Sequence, residues 1–373
     1  MIASGFTPTR SGQGQLWRWQ SGSFVSDFAT ALQIGRLLGG SVFIPHSLLR
    51  TQLTLSARHG YNPYDSLSSA MGVIMKVLRF AAQTTQESIG ILLEDGVLNF
   101  TEGFQAFQLF DQGVCACPVA SPIALMEAGL FSAEVFSQVL DFVVKHNLSD
   151  KFKVRKYKAL APIKRPSKIL ALGRNYLAHA KESGYHIPTE PIFFGKVNSA
   201  VIGPDEPVVY KKSLTRVDPE IELAVIIGKE GANIPEADAP AHIAGYTIMN
   251  DVTARDMQRV DMEQSSPWTR SKGIDTFCPM GPVIVLPDEI KEPVELDLEL
   301  KVNGETRQKD NTRSLMFKIS KLIEYISSYH TLFPGDVIST GTPEGMKPVF
   351  PGDIMEAHVE KIGTLRNPVV AEA

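Results

Sequence analysis

Apolar and polar positions follow strand patterns in some stretches of the chain and the helical spacing in others. From Met75 the sequence reads K-V-L-R-F-A, then a polar turn, then S-I-G-I-L-L-E-D-G-V-L-N-F, which predicts a pair of strand patterns with Asp95-Gly96 as the hairpin turn. Between Phe104 and Asp150 the spacing becomes helical, with Val135, Val139, Phe142 and Val143 on one face of a small cap region. Lys151 to Pro166 is basic and contains prolines, the composition of a linker. Lys168 to Gly173 predicts a strand that runs into a two-turn helix over Tyr176 to Ser183, with Asn175 as its N-cap and Gly184 as its stop. Tyr185 to Pro191 follows as a proline-containing lid.

The run V-D-P-E-I-E-L-A-V-I-I-G places Pro219 ahead of a β-branched strand and Gly228 behind it. A second apolar run, His242 to Met249, ends in Asn250-Asp251. Val294 to Asn303 alternates and turns at Asn303-Gly304, and Ser314 to Ser328 is amphipathic, with Leu315, Ile319, Leu322, Ile323 and Ile326 facing inward. The tail carries P-G-D-V-I-S-T-G-T-P-E-G and P-G-D-I-M-E-A-H-V-E, two strands beside a Gly/Thr/Pro loop.

Composition narrows the partners. The 373 residues are 43% hydrophobic and 21% charged, ordinary for a globular protein, and leave room for two domains. A net charge of -4, with no cluster of Lys and Arg among aromatics, gives no sign of a nucleic-acid partner. No apolar run reaches the ~20 residues of a membrane span. The three cysteines, Cys115, Cys117 and Cys278, contain no C-x-x-C and no disulfide framework, which points to a reducing compartment. Cys115 and Cys117 read as metal ligands or as small buried side chains. Residues 1–74 carry five arginines against Asp27 and Asp65 and are rich in Ser, Gly and Gln, so they read as a transit-like leader or as an extension outside the mature protein. A functional start at Met75 is the corresponding expectation.

Three carboxylates carry the candidate chemistry. In a strand Glu220 and Glu222 point to the same face, roughly 7 Å apart, and two like charges at the mouth of an apolar strand resist desolvation unless a proton or cation joins them. Asp251, at the end of the next run, completes an oxygen-rich site for Mg²⁺, Mn²⁺ or Ca²⁺; a solvated strand edge is the other reading of E-x-E. His179 and Glu182 are three residues apart on one helix face, an arrangement that fixes an imidazole tautomer for general-base work or makes a routine exposed pair. Arg255 and Gln258, in a helix opened by Thr253, share a face suited to a substrate carboxylate or to surface packing. Lys272 lies in a loop, where a lysine is ordinarily solvated. The Thr342 hydroxyl and neighbouring amides could hold an anion.

Taken together, G-R-N-Y-x-x-H-x-x-E, E-I-E-L-A-V-I-I-G, N-D-V-T-A-R-D-x-Q, S-K-x-x-D-T-F-x-P-x-G-P, V-N-G-E, P-G-D-V-I-x-T-G-T-P and the closing P-G-D closely resemble the fumarylacetoacetate hydrolase superfamily, from about Arg165 to Val369. Met75 to Leu109 is more weakly similar to the family's small N-terminal domain. The resemblance implies an α+β, predominantly mixed-β fold of short strands with a few helices, often dimeric. It divides the chain into an extension (1–74), a small N-terminal or cap region (75–160) and a catalytic domain (161–373). It makes Glu220, Glu222 and Asp251 the ligands of Mg²⁺ or a similar ion, and His179 and Glu182 an acid/base dyad on a lid helix. Lys272 would orient water or stabilise an oxyanion, while Arg255, Gln258 and Thr342 would touch the substrate. G-T-P-E-G-M-K departs from the family's usual continuation and bears on selectivity.

The implied activity is divalent-metal-dependent hydrolysis of a carbon–carbon bond in a 2,4-dioxo acid, of acylpyruvate or fumarylacetoacetate type, through a metal-stabilised enolate. Decarboxylation, tautomerisation or isomerisation of oxaloacetate-like or unsaturated dioxo acids is the alternative at the same site. A catalytically silent member of the fold is a third reading, opposed by the complete set of site residues. The expected setting is a homodimer, mitochondrial if the leader is real and cytoplasmic if the chain starts at Met75.

Overall fold

The structure, a computed structural model, describes residues 6–10, 15–19, 74–82, 87–111, 121–182 and 187–373. Cys115, Cys117, Gly184 and the first residues of the expected lid lie outside the described residues, as does most of the leader. The chain divides into two compact units, Met1–Ile44 and Pro45–Ala373. In the first, Phe6–Arg10 and Gln15–Trp19 pair as antiparallel strands.

In the second unit the patterns at Met75 become β1 (Lys76–Ala81), β2 (Glu87–Leu93) and β3 (Gly96–Asn99), joined antiparallel. Helix α1 (Phe100–Phe110) starts where Asn99 accepts the Glu102 N–H. After α2 (Pro122–Glu127) comes α3 (Ala133–Lys145), whose buried face carries Val135, Phe136, Val139, Phe142 and Val143. The segment expected as a linker instead contains β4 (Lys153–Val154) and β5 (Lys158–Leu160), which pair with β3 and β1. Backbone pairing took residues whose charge suggested a solvated connection.

Next come β6 (Ile169–Gly173), the short helix α4 (Leu177–Glu182), β7 (Ile192–Lys196), β8 (Val201–Ile202) and β9 (Val208–Tyr210). Asn175 does not serve as a simple cap: its amide accepts the Phe317 N–H and donates to the carbonyls of Phe317 and Thr340, tying the start of α4 to two distant loops. β10 (Ile221–Ile227) is buried at every position, which is why its apolar run is continuous rather than alternating. It pairs antiparallel with β11 (Ile243–Asn250).

Helix α5 (Arg255–Glu263) begins two residues later than expected because Thr253–Ala254 pair with Val217–Asp218 in a small ribbon. The four-residue helix α6 (Thr269–Lys272) replaces the loop expected around Lys272. β12 (Cys278–Val285), β13 (Asp297–Val302), β14 (Glu305–Asn311), α7 (Ile319–Ser327), β15 (Val337–Ser339), β16 (Ile354–Val359) and β17 (Gly363–Ala371) complete the chain. Asn303 (φ 52°) and Gly304 (φ 80°) both adopt the left-handed backbone that a type I′ hairpin between β13 and β14 requires.

Besides the two-stranded pairs Phe6–Arg10 with Gln15–Trp19 and Val217–Asp218 with Thr253–Ala254, the described strands form two sheets, and the fold is mixed α+β with strands predominating. The larger has twelve strands, in the order β4-β3-β2-β1-β12-β11-β10-β15-β6-β7, with β8 on β12 and β5 on β1. The smaller runs β9-β17-β16-β13-β14. One apolar cluster joins them: Leu223 and Val225 of β10 belong to the same buried group as Leu298 and Leu300 of β13, Ala357 of β16 and Leu322, Ile323 and Ile326 of α7. Each such Leu, Ile or Val side chain contributes ~1.5–3 kcal/mol by leaving water. The candidate site sits where this rigid centre meets polar residues at the ends of β10, β11 and β6.

Candidate active site and metal centre

Antiparallel pairing of β10 with β11 sets Ile221 opposite Asn250, so Glu220, Glu222 and Asp251 converge at one strand end. The Asn250 side chain accepts the Glu220 N–H at 2.8 Å, and the Glu220 carbonyl accepts the Asp251 N–H at 2.8 Å. One oxygen from each of the three carboxylates lies within 4.8 Å of the others, and all three residues are buried. The solvated-edge reading of E-x-E is thereby excluded.

Lys272 is also buried, so the reading of an ordinary solvated loop lysine does not apply to it. Its ammonium donates to Glu220 Oε2 at 2.6 Å and Asp251 Oδ2 at 2.5 Å. Lys196, at the end of β7, donates to Asp251 Oδ1 at 2.6 Å and to the Lys272 carbonyl. Glu222 accepts from Ser339 Oγ at 2.5 Å and from the Gly341 N–H at 2.9 Å. Arg255 donates through Nε to Asp218 at 2.8 Å, through Nη1 to Gln258 at 2.6 Å and through Nη2 to Glu220.

The charges do not balance evenly across this network. Burial works to raise the Glu220 carboxyl, but Lys272 and then Arg255 more than offset it and hold the group well below the carboxylate range. Burial raises Glu222 well above its ordinary value, and the Asp251 charge adds to that. Lys272 loses by burial and gains more from Asp251 and Glu220, so it stays cationic. Three buried hard-oxygen donors, one of them short of positive charge, fit a divalent cation of the magnesium, manganese or calcium type.

His179 and Glu182 project from α4, with Nδ1 and Oε2 3.7 Å apart. That is longer than a hydrogen bond, and contacts of this kind commonly tighten only once substrate is bound. The interaction with His179 nevertheless holds the Glu182 carboxyl below its ordinary value, against burial and with help from the Gly345 N–H. Gly345 donates to both Glu182 oxygens, at 3.2 and 3.1 Å. Its backbone is left-handed (φ 108°), and a Cβ there would fall 2.1 Å from the Arg307 carbonyl oxygen, so the G-T-P-E-G-M-K loop needs glycine to reach the helix.

One cavity collects these parts. His179, Arg255, Gln258, Lys272 and Thr342 line it together with Glu220 and Glu222. Phe194 and Trp268 form an apolar wall, their rings 5.2 Å apart, and a Cβ on Gly173 would come within 2.9 Å of the Trp268 ring. Every site residue that the family resemblance implies is thus brought to this one place, with Asp251 beside the two glutamates and Glu182 beside His179, whereas Cys115 and Cys117 lie outside the described residues. Lys196, Asp218, Ser339 and Gln308 were not foreseen, since each is defined by a partner far away in the chain.

The family described as Fumarylacetoacetate (FAA) hydrolase C-terminal matches residues 168–370, more than half of the chain. The chain belongs to this family. Among its relatives, the 2,4-didehydro-3-deoxy-L-rhamnonate hydrolase of Sphingomonas sp. is 44% identical over 216 residues, 56% of this chain and 75% of that protein. The mitochondrial oxaloacetate tautomerase of Homo sapiens is 43% identical over 218 residues, 57% of this chain and 69% of that protein. The solved fumarylpyruvate hydrolase of Pseudomonas aeruginosa, in complex with Mn²⁺ and pyruvate, is 33% identical with a TM-score of 0.54, covering 58% of this chain and 92% of its own. The fumarylacetoacetate hydrolase family therefore includes both hydrolases and tautomerases similar to this chain. Among the described residues no helix is long and apolar enough to cross a membrane.

Proposed function

We propose that this protein is a divalent-metal-dependent hydrolase that cleaves a carbon–carbon bond in a 2,4-dioxo acid. The observation that carries this reading is the single cavity in which a buried carboxylate trio faces a histidine–glutamate pair. The likeness to the 2,4-didehydro-3-deoxy-L-rhamnonate hydrolase and to the fumarylpyruvate hydrolase in complex with Mn²⁺ and pyruvate supports it.

Glu220, Glu222 and Asp251 would hold the ion, with Mg²⁺, Mn²⁺ or Ca²⁺ suited to the donors. When bound, such an ion supplies a Lewis acid for the adjacent oxygens of a 2-oxo carboxylate. His179 takes a proton from water, and Glu182 stabilises the imidazolium and fixes its tautomer. The hydroxide adds to the distal carbonyl; the bond between that carbon and the neighbouring methylene breaks. His179 returns its proton to the methylene carbon, which becomes the methyl group of pyruvate, and the attacked carbonyl leaves as a carboxylic acid. Arg255, Gln258 and Thr342 hold the substrate, and Lys272 adds positive charge where negative charge develops.

Tautomerisation of an oxaloacetate-like acid is the second reading, favoured by the likeness to the human tautomerase; decarboxylation would use the same proton shuttle. The reading also takes residues 75–160 as a small N-terminal domain on a 161–373 catalytic domain. It further implies a homodimer in the cytoplasm or mitochondrion. Turnover of acetylpyruvate and oxaloacetate with Mn²⁺ in ¹⁸O-labelled water, with and without chelator, tests it. Chelator-sensitive release of ¹⁸O-labelled acetate is expected. Conversion of oxaloacetate alone, without incorporation of solvent oxygen at a cleaved carbon, would transfer the assignment to a tautomerase or decarboxylase.

A further inference from the structure

A buried side chain of the smaller sheet, Gln308 of β14, reaches the site. Its Oε1 accepts the N–H of Ile221 at 3.0 Å, and Ile221 lies between Glu220 and Glu222. Its Nε2 donates to Thr342 Oγ1 at 2.9 Å and to the Pro343 carbonyl at 2.8 Å. The orientation of this amide is fixed at both ends by groups that play a single role: the Ile221 N–H can only donate and the Pro343 carbonyl can only accept. Nε2 therefore carries both its hydrogens toward the 342–343 segment. Thr342 must accept from Gln308, and an amide nitrogen cannot accept in return. The hydroxyl proton is turned away from Gln308, on a residue that lines the cavity.

We infer that Gln308 is a positioning residue that makes Thr342 a hydrogen-bond donor toward the carboxylate or oxo oxygen of a 2-oxo acid. The inference rests on the oxo-acid reading of the site and adds to it the polarity of one contact. Because the same amide holds the backbone between the two glutamates, it fixes the donor in register with the ion-binding floor. With one lone pair of Thr342 taken by Gln308, its hydroxyl proton is left to donate to an acceptor oxygen of the substrate.

Glutamate at position 308 keeps the acceptor for Ile221 but, as a carboxylate, cannot donate to Thr342, so the hydroxyl would turn its proton inward, toward position 308. Pyruvate is the probe, titrated calorimetrically into the full Mn²⁺-loaded chain for wild type, Q308E, T342V and the double variant, with Mn²⁺ affinity measured separately. Q308E and T342V are each expected to weaken pyruvate binding about tenfold, equivalent to ~1.4 kcal/mol, and the double variant no more than either alone. Should Q308E not fold, Q308L, which releases the Thr342 hydroxyl without capturing its proton, is expected to weaken pyruvate binding by less than tenfold and again not to add to T342V. Losses that add in the double variant, or Q308E binding pyruvate as wild type does, would overturn the inference while leaving the oxo-acid reading intact. Failure of the wild type to bind pyruvate despite normal Mn²⁺ binding would overturn both.

Discussion

The floor and the roof of the cavity are built in opposite ways. The floor, Glu220, Glu222 and Asp251, sits at the ends of two strands buried in the centre of a twelve-stranded sheet, and each carboxylate has at least one short hydrogen bond from lysine, arginine, serine or backbone. The roof, His179 and Glu182, rides on a six-residue helix, with a 3.7 Å gap inside the pair and a shared backbone N–H behind it. Coulombic stabilisation depends on groups being in place before charge develops, and fixed strand ends provide that. Proton transfer requires close approach at the moment of reaction, and a short helix can supply it by a small movement. The two regions should therefore respond differently to substitution.

Glu222→Ala is the change expected to act most strongly, because it removes one of three donors from a floor that cannot rearrange. Mn²⁺ affinity measured calorimetrically should fall by more than ~100-fold, the upper range even for residues that only support metal ligands, with turnover lost in parallel. Unchanged Mn²⁺ binding would mean that the trio is not the ion site. His179→Asn comes next and separates the roof from the floor. Turnover should fall ~10²–10⁴-fold while Mn²⁺ affinity stays within a factor of about two, and a matching loss of both would show that the two regions form one unit.

How much of this was legible in the sequence divides along the same line. The strands of the floor were readable because E-I-E-L-A-V-I-I-G combines β-branched residues with flanking Pro219 and Gly228, signals that lie within one short window. The helix of the roof was readable from the spacing of His179 and Glu182. Burial of charge was not. Lys196 closes the run I-F-F-G-K, and nothing local says whether its ammonium reaches solvent; the answer is Asp251, 55 residues later. Lys272 looked solvated for the same reason, although it meets Glu220 across 52 residues. Asn175 resembled a helix cap because Asn commonly is one, yet its partners, Phe317 and Thr340, come from the far end of the chain. The start of α5 was misplaced by a two-residue ribbon whose other half is Val217–Asp218. The resemblance of the ordered motifs named which residues gather, and long-range pairing decided which of them are charged and buried.

The smallest effect concerns Glu182, and it measures how tightly the roof is held. His179 lowers its carboxyl pKa most, with the Gly345 N–H contributing and burial opposing. A carboxyl whose pKa is depressed on folding stabilises the native state above its unfolded value of ~4.3, and that increment disappears as pH falls through the lower folded value. The side chain is 33% exposed, so solvent screening limits the increment to well under ~1 kcal/mol. Urea denaturation of wild type and Glu182→Gln should show a small stability difference, constant above about pH 5 and shrinking below about pH 4. A difference that persists undiminished to pH 3 would show that the charge of Glu182 does not hold the helix. A difference of several kcal/mol would place the roof in the same class of rigidity as the floor and remove the contrast between them.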